Sequence, residues 1–161
     1  MGMAEFPAKA TLYDQDFCLW IDETVAKLRA GEFGAVDWAH LIEEVESLAK
    51  RDRRELESRL RVLLNHLLKR VYVKSPEDYR GWENTIKEQR SEIQLLLKDS
   101  PSLKGYLTEI FEASWRYAAG QVKDDYPDIA LPAHCPFPPE LEPLLTQKFW
   151  LANPPGQNAG N

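Results

Sequence analysis

Leu56-Glu57-Ser58-Arg59-Leu60-Arg61-Val62-Leu63-Leu64-Asn65-His66-Leu67-Leu68-Lys69-Arg70 is the stretch on which the fold turns. Leu56, Leu60, Leu63, Leu64, Leu67, Leu68 and, just beyond, Val71 recur at helical spacing and form one apolar stripe. Glu57, Arg59, Arg61, Lys69 and Arg70 fill most of the other side. A strand would alternate, and Val62-Leu63-Leu64 does not; leucine also outnumbers β-branched residues, which favours helix. Each fully buried leucine contributes roughly 1.5–3 kcal/mol. The segment is therefore expected at the centre of the core, with the other helices gathered round it.

Upstream, Asp37 is expected to cap a helix whose inward stripe is Trp38, Leu41, Ile42, Val45, Leu48 and Ala49. Lys50-Arg51-Asp52-Arg53-Arg54-Glu55 then holds no apolar residue, but no Gly or Pro either. One helix over about 38–73 is favoured, with a break at the charged segment left open. Further upstream, Thr11 with Asp14 three residues on is a weak capping box. Phe17, Trp20, Ile21, Val25 and Leu28 continue that first helix to Gly31, a usual stop. Val36 and Phe33 are expected to tuck inward from the turn.

Downstream, Ser75-Pro76-Glu77-Asp78 is a restart signal, with Ser as cap and Pro at the first helical position. Trp82, Ile86, Ile93, Leu96 and Leu97 mark the third helix; Gly81 weakens its first turns, so regular helix is expected from nearer Gly81. Asp99-Ser100-Pro101-Ser102 repeats the punctuation. Leu103, Leu107, Ile110, Phe111, Ser114 and Ala118 place a fourth helix at about 101–125. Pro127, Pro132, Pro136, Pro138 and Pro139 exclude helix interior over 126–139, while Ile129, Leu131 and Phe137 suggest a loop laid along the body. Glu140 to Phe149 is a short last helix. The expected fold is all-α: an antiparallel bundle of about four main helices with a proline-rich C-terminal segment. The expected division is a flexible 1–10, one helical domain over 11–152 and a disordered tail over 153–161.

The totals agree. At 161 residues, 43% apolar and 29% charged, the chain suits one globular domain. No uncharged apolar run approaches the ~20 residues of a membrane span, and no secretion signal is visible. Cys18 and Cys135 are too few for a disulfide framework, so free thiols in a reducing cytoplasm are expected. The net charge of −6 hides an asymmetry: 1–49 carries −7, 50–74 carries +6 and 75–161 carries −5.

Several stretches in order carry a family resemblance. They are Tyr13-Asp14-Gln15-Asp16-Phe17 with Trp20, and Asp37 leading into Leu41-Ile42-Glu43-Glu44-Val45-Glu46-Ser47-Leu48. Then come Leu64-Asn65-His66-Leu67-Leu68-Lys69, Trp82 with Ile86 and Gln89-Arg90, Ser100-Pro101-Ser102-Leu103, and Cys135-Pro136-Phe137. Over about residues 11–150 the chain resembles the bacterial domain-of-unknown-function family numbered twenty-nine. The resemblance implies a small all-helical bacterial protein, in a family common in photosynthetic bacteria, and no assigned activity. Family members tend to carry an aromatic residue after the His-Leu-Leu-Lys run, where this chain has Arg70.

Candidate chemistry is sparse. His40, Glu43 and Glu44 share a helix face at i, i+3 and i+4, a spacing usable for a divalent metal if another helix adds ligands. Against this, acidic residues near a helix N-terminus are favourable on their own account, and no second Glu-x-x-His arrangement completes a di-iron pattern. His66 beside the leucine stripe reads as a hydrogen-bonded core histidine, or as a general base paired with Asp16 or Glu44. Cys135 next to His134 is a nucleophile only if the fold brings a base to it, and Cys18 reads as helix packing. Trp20, Trp38, Trp82, Trp115 and Trp150 read as core fillers. No phosphate-cradling glycine loop exists and no cofactor is expected.

Lys50, Arg51, Arg53 and Arg54 could contact a phosphate backbone, or simply form a solvated face. The leading expectation is a non-enzymatic cytoplasmic helical protein acting through protein–protein contacts, with itself as a homodimer or with another protein. A small metal-dependent or hydrolytic enzyme comes second. Nucleic-acid binding is third and unlikely, and no membrane partner is expected.

Overall fold

A computed structural model describes residues 10–151. The expectations for 1–9 and for the tail over 153–161 lie outside the described residues. Within them the chain is helical: α1 (Leu12–Gln15), α2 (Phe17–Ala30), α3 (Trp38–Tyr72), α4 (Pro76–Asp99), α5 (Leu103–Asp125) and α6 (Leu141–Thr146), with short 3-10 turns at Phe33–Ala35 and Phe149–Leu151. No strand occurs among the described residues, so the all-α class stands, with four long helices. The contacts divide the chain into two compact units, one through Ala49 and one from Lys50.

In the unit through Ala49, the first helix is broken where continuity was expected. Asp16 adopts an extended conformation (φ −148°, ψ 92°) and its carboxylate accepts from the Leu19 N–H at 3.0 Å, so it ends α1 and caps α2. A short polar side chain that satisfies an orphan N–H competes with helical continuation. The Asp14 carboxylate reaches back to the Thr11 hydroxyl at 2.9 Å. Gly31 closes α2 in the left-handed region (φ 73°), with its N–H on Leu28 O. Among the described residues of this unit, Trp20, Thr24 and Val36 are buried. Val36 tucks inward as expected, but Phe33 does not.

Asp37 caps α3, accepting from the His40 N–H at 3.3 Å, and α3 then runs unbroken for 35 residues through the charged segment. The inward stripe expected on its first three turns is not buried: Trp38, Ile42, Val45 and Leu48 are 46–58% exposed. Their spacing makes the helix amphipathic, but among the described residues that side stays about half exposed.

From Lys50 onward the leucine stripe does what its spacing dictates. Leu56, Leu60, Leu63, Leu64, Leu67 and Leu68 are fully buried. They pack with Ile86, Ile93 and Leu97 of α4 and with Leu103, Leu107, Phe111, Trp115, Ala118 and Val122 of α5. Arg70 pairs with Glu83 (2.8 Å) and Arg59 with Glu92 (3.5 Å), so α3 and α4 run antiparallel. The Arg53 and Arg61 guanidiniums lie over the Tyr106 and Tyr117 rings, so α5 runs back alongside α3. Helix α4 begins at Pro76 and passes through Gly81 without a break, earlier than the glycine suggested. Ser75 does not cap through its side chain; its hydroxyl donates to Asp78 at 2.5 Å.

The proline-rich segment lies along this unit. Phe137 is buried against Phe149 (5.0 Å between centroids), and Lys123 Nζ donates to Ile129 O at 2.6 Å. The last helix is shorter than expected, six residues. The Arg70 guanidinium lies against two aromatic rings, 3.8 Å from the Tyr79 centroid and 5.3 Å from that of Trp150. Trp82 and Trp115 fill the core, Trp150 is half-buried, and Trp38 is the exposed exception.

Candidate functional site

The densest polar geometry lies in the unit through Ala49, where α1 and α2 present aromatic rings to the first turns of α3. Asp37 stands three residues before His40, a spacing that puts both on one side of the first helical turn. Its carboxylate takes the backbone N–H with one oxygen and His40 Nδ1 with the other, at 2.5 Å. A carboxylate acceptor fixes Nδ1 as the protonated nitrogen and leaves Nε2 as the second ring nitrogen. The Tyr13 ring stacks on the imidazole at 3.9 Å and 13°, and Trp20 meets Tyr13 edge-on at 4.9 Å. The Tyr13 hydroxyl donates to Glu44 Oε1 at 2.5 Å.

The charges respond accordingly. The hydrogen bond to Asp37 lifts the His40 pKa above its ordinary value, and the same bond holds Asp37 below the usual carboxylate range. The bond to Glu44 pushes the Tyr13 hydroxyl up to about 12, because ionising it would set two negative charges side by side.

The expected groupings resolve differently from their spacing. Of His40, Glu43 and Glu44, the first turns to Asp37, the last to Tyr13, and Glu43 is exposed. Among the described residues no group of three or more His, Cys, Asp or Glu side chains is placed to hold a metal ion. His66 gives Nδ1 to the Val62 carbonyl at 2.9 Å, and burial lowers its pKa. Asp16 is spent on Leu19 N–H and Glu44 on Tyr13, so each carboxylate considered for His66 has a partner of its own.

Cys135 is half-buried, and burial pushes its thiol up to about 11, far from a thiolate at neutral pH. Cys18, expected to pack, is exposed; both cysteines are free. Lys50, Arg51, Arg53 and Arg54 are all exposed, and none is in an ion pair among the described residues. Sequence reading assigned Asp37 only a capping role and Tyr13 no chemistry. The available signals were the Asp-x-x-His spacing and the Tyr13, Phe17, Trp20 succession.

Among described residues no helix is long and apolar enough to cross a membrane. A family model, described as Domain of unknown function DUF29, matches residues 12–150. No curated protein and no solved structure matches the chain.

Proposed function

We propose, for a chain that belongs to the DUF29 family, a non-enzymatic role in protein–protein contact, with a second copy of the chain as the partner. One observation carries this reading: Trp38, Ile42, Val45 and Leu48 lie on one side of α3 and are each about half exposed. Large apolar side chains clustered on one helix face mark an interaction surface.

The charge pattern favours a second copy, paired antiparallel. A parallel pair would set the −7 of residues 1–49 against itself. An antiparallel pair puts Lys50, Arg51, Arg53 and Arg54 of each copy beside the acidic unit of the other, with Lys50 opposite Asp37. In the same register Trp38 faces Ala49, Ile42 faces Val45 and Leu48 faces Ala39, so the exposed stripe meets apolar residues and its largest side chain meets a small one. Two free thiols suit a reducing cytoplasm, and a bacterial setting follows from the family resemblance alone.

Light scattering after size exclusion is expected to give twice the 18.5 kDa of the chain, and Ile42→Asp is expected to give the monomer. A wild-type chain that stays monomeric at high micromolar concentration overturns the reading.

A second reading rests on the Asp37–His40 pair, which orients an imidazole as hydrolytic sites do. It makes the protein a small hydrolytic enzyme with His40 as base; the metal-dependent version through His40, Glu43 and Glu44 has no ligand group of three behind it among the described residues. Elemental analysis of chelator-free protein and a panel of ester and phosphoester substrates test it. Nucleic-acid binding through Lys50, Arg51, Arg53 and Arg54 requires a gel shift that weakens steeply with salt.

A further inference from the structure

Arg90 is a charged residue inside the core of the unit from Lys50 onward, and it has no carboxylate. It sits on α4 between Ile86 and Ile93 at helical spacing and is only 8% exposed. Nε donates to Leu144 O at 3.0 Å and Nη2 to Gln147 O at 2.7 Å, so the guanidinium holds the C-terminal carbonyls of α6. No ion pair to Arg90 exists among the described residues. Nη1 has no acceptor among the described residues and is not sealed from solvent. It therefore reaches open space.

That space is a cleft of about 590 Å³ between α4 and the segment from Leu145 to Leu151, lined by Arg90 together with Lys87, Ser91, Lys148 and Trp150. The volume is that of a small-molecule site. Lys87 and Lys148 are exposed and carry no ion pair among the described residues. The cleft's carboxylate, Glu83, is already taken by Arg70 at 2.8 Å. Three cations thus line a cleft whose one described carboxylate is engaged by Arg70, and one of the three is desolvated and held in place by two carbonyls. A guanidinium so fixed keeps its planar donor edge for an oxyanion, and burial strengthens the attraction. Trp150 adds a flat apolar wall.

We propose that this cleft binds a small organic anion, a carboxylate or phosphate monoester carrying a flat apolar body. The charged end meets Arg90 Nη1, Lys87 and Lys148, and the body lies against Trp150. The site stands independently of the pairing through α3, since every residue in it belongs to the other unit.

The probes are phenyl phosphate, benzoate and the neutral isostere benzamide, titrated into the full chain by calorimetry and by tryptophan fluorescence. Saturable binding of at least one anion, roughly tenfold or more tighter than benzamide and weakening as salt rises, is expected. Comparison of phenyl phosphate with benzoate assigns the phosphate or carboxylate class. Lys87→Gln with Lys148→Gln, both on the surface, is expected to weaken the anion about tenfold or more while leaving the melting temperature within about 2 °C. Trp150→Leu is expected to weaken benzoate more than inorganic phosphate. No saturable binding of either anion up to about 10 mM, equal affinity for benzamide, or an unchanged affinity in the double lysine variant overturns the proposal.

Discussion

The two ends of α3 carry the same pattern and meet opposite fates. Leu56, Leu60, Leu63 and Leu67 are fully buried, while Trp38, Ile42, Val45 and Leu48, at equivalent spacing on the same helix, are about half exposed. Periodicity specifies a helix and a face, but burial is decided by what is brought against that face. The C-terminal half receives α4, α5, α6 and the proline-rich segment. The N-terminal half belongs to a unit in which three described residues, Trp20, Thr24 and Val36, are buried, and which carries a heavy acidic charge. A unit of this size has a high ratio of surface to interior.

The sharpest way to break this comparison is truncation. Leu60→Ala is expected to cost about 2–5 kcal/mol in urea unfolding, whereas Val45→Ala is expected to stay within about 0.5 kcal/mol when measured on the monomer. Equal losses would mean that the N-terminal stripe is covered after all. Next in size is Arg90→Met, which strips the carbonyls of Leu144 and Gln147 of their donor and is expected to cost about 1.5–3 kcal/mol. Proteolysis near α6 would follow the same loss. Val45→Asp is expected to leave the melting of the leucine core unchanged while raising the dimer dissociation constant by about tenfold or more.

The smallest effects are two histidine titrations, which separate an engaged imidazole from a desolvated one. His40 is expected to titrate above about 6.5 by NMR, and Asp37→Asn to remove most of that rise. Because its folded pKa is raised, the stability it contributes is present below about pH 6.5 and is lost as pH climbs through the folded value. Asp37 acts in the opposite sense: its contribution is present above the ordinary carboxylate pKa and is lost as pH falls through the lowered folded value. His66 is expected to titrate below about 6.5. It disfavours the folded state as pH falls from there toward its own lowered value, since the unfolded chain then binds more protons.

Much of the fold was legible in particular residues. The leucine stripe placed the core, the absence of Gly and Pro from Ala35 to Ser75 foretold an unbroken α3, and Pro76 and Asp37 marked helix starts. Asp16 was not legible as a break, because an aspartate can cap a helix or continue one, and its extended backbone decides for the cap. Nor was the exposure of Ile42 and Val45, since spacing carries no information about neighbours. Arg90 was missed because charge reads as surface, although its position between Ile86, Ile93 and Leu97 already placed it on the inward face. The candidate site was legible only in part. Spacing named His40 and Glu44, but their hydrogen bonds go to Asp37, three residues upstream of His40, and to Tyr13 on α1, neither of which the His40, Glu43, Glu44 grouping included.

The two sulfur atoms differ in a way that can be put to practical use. Cys18 is exposed, whereas the Cys135 thiol is half-buried and stays protonated well past neutrality. A maleimide dye at pH 7 should therefore attach at one position per molecule, and it tags the acidic end. Energy transfer between donor- and acceptor-labelled batches would then report association of copies directly, with no residue replaced.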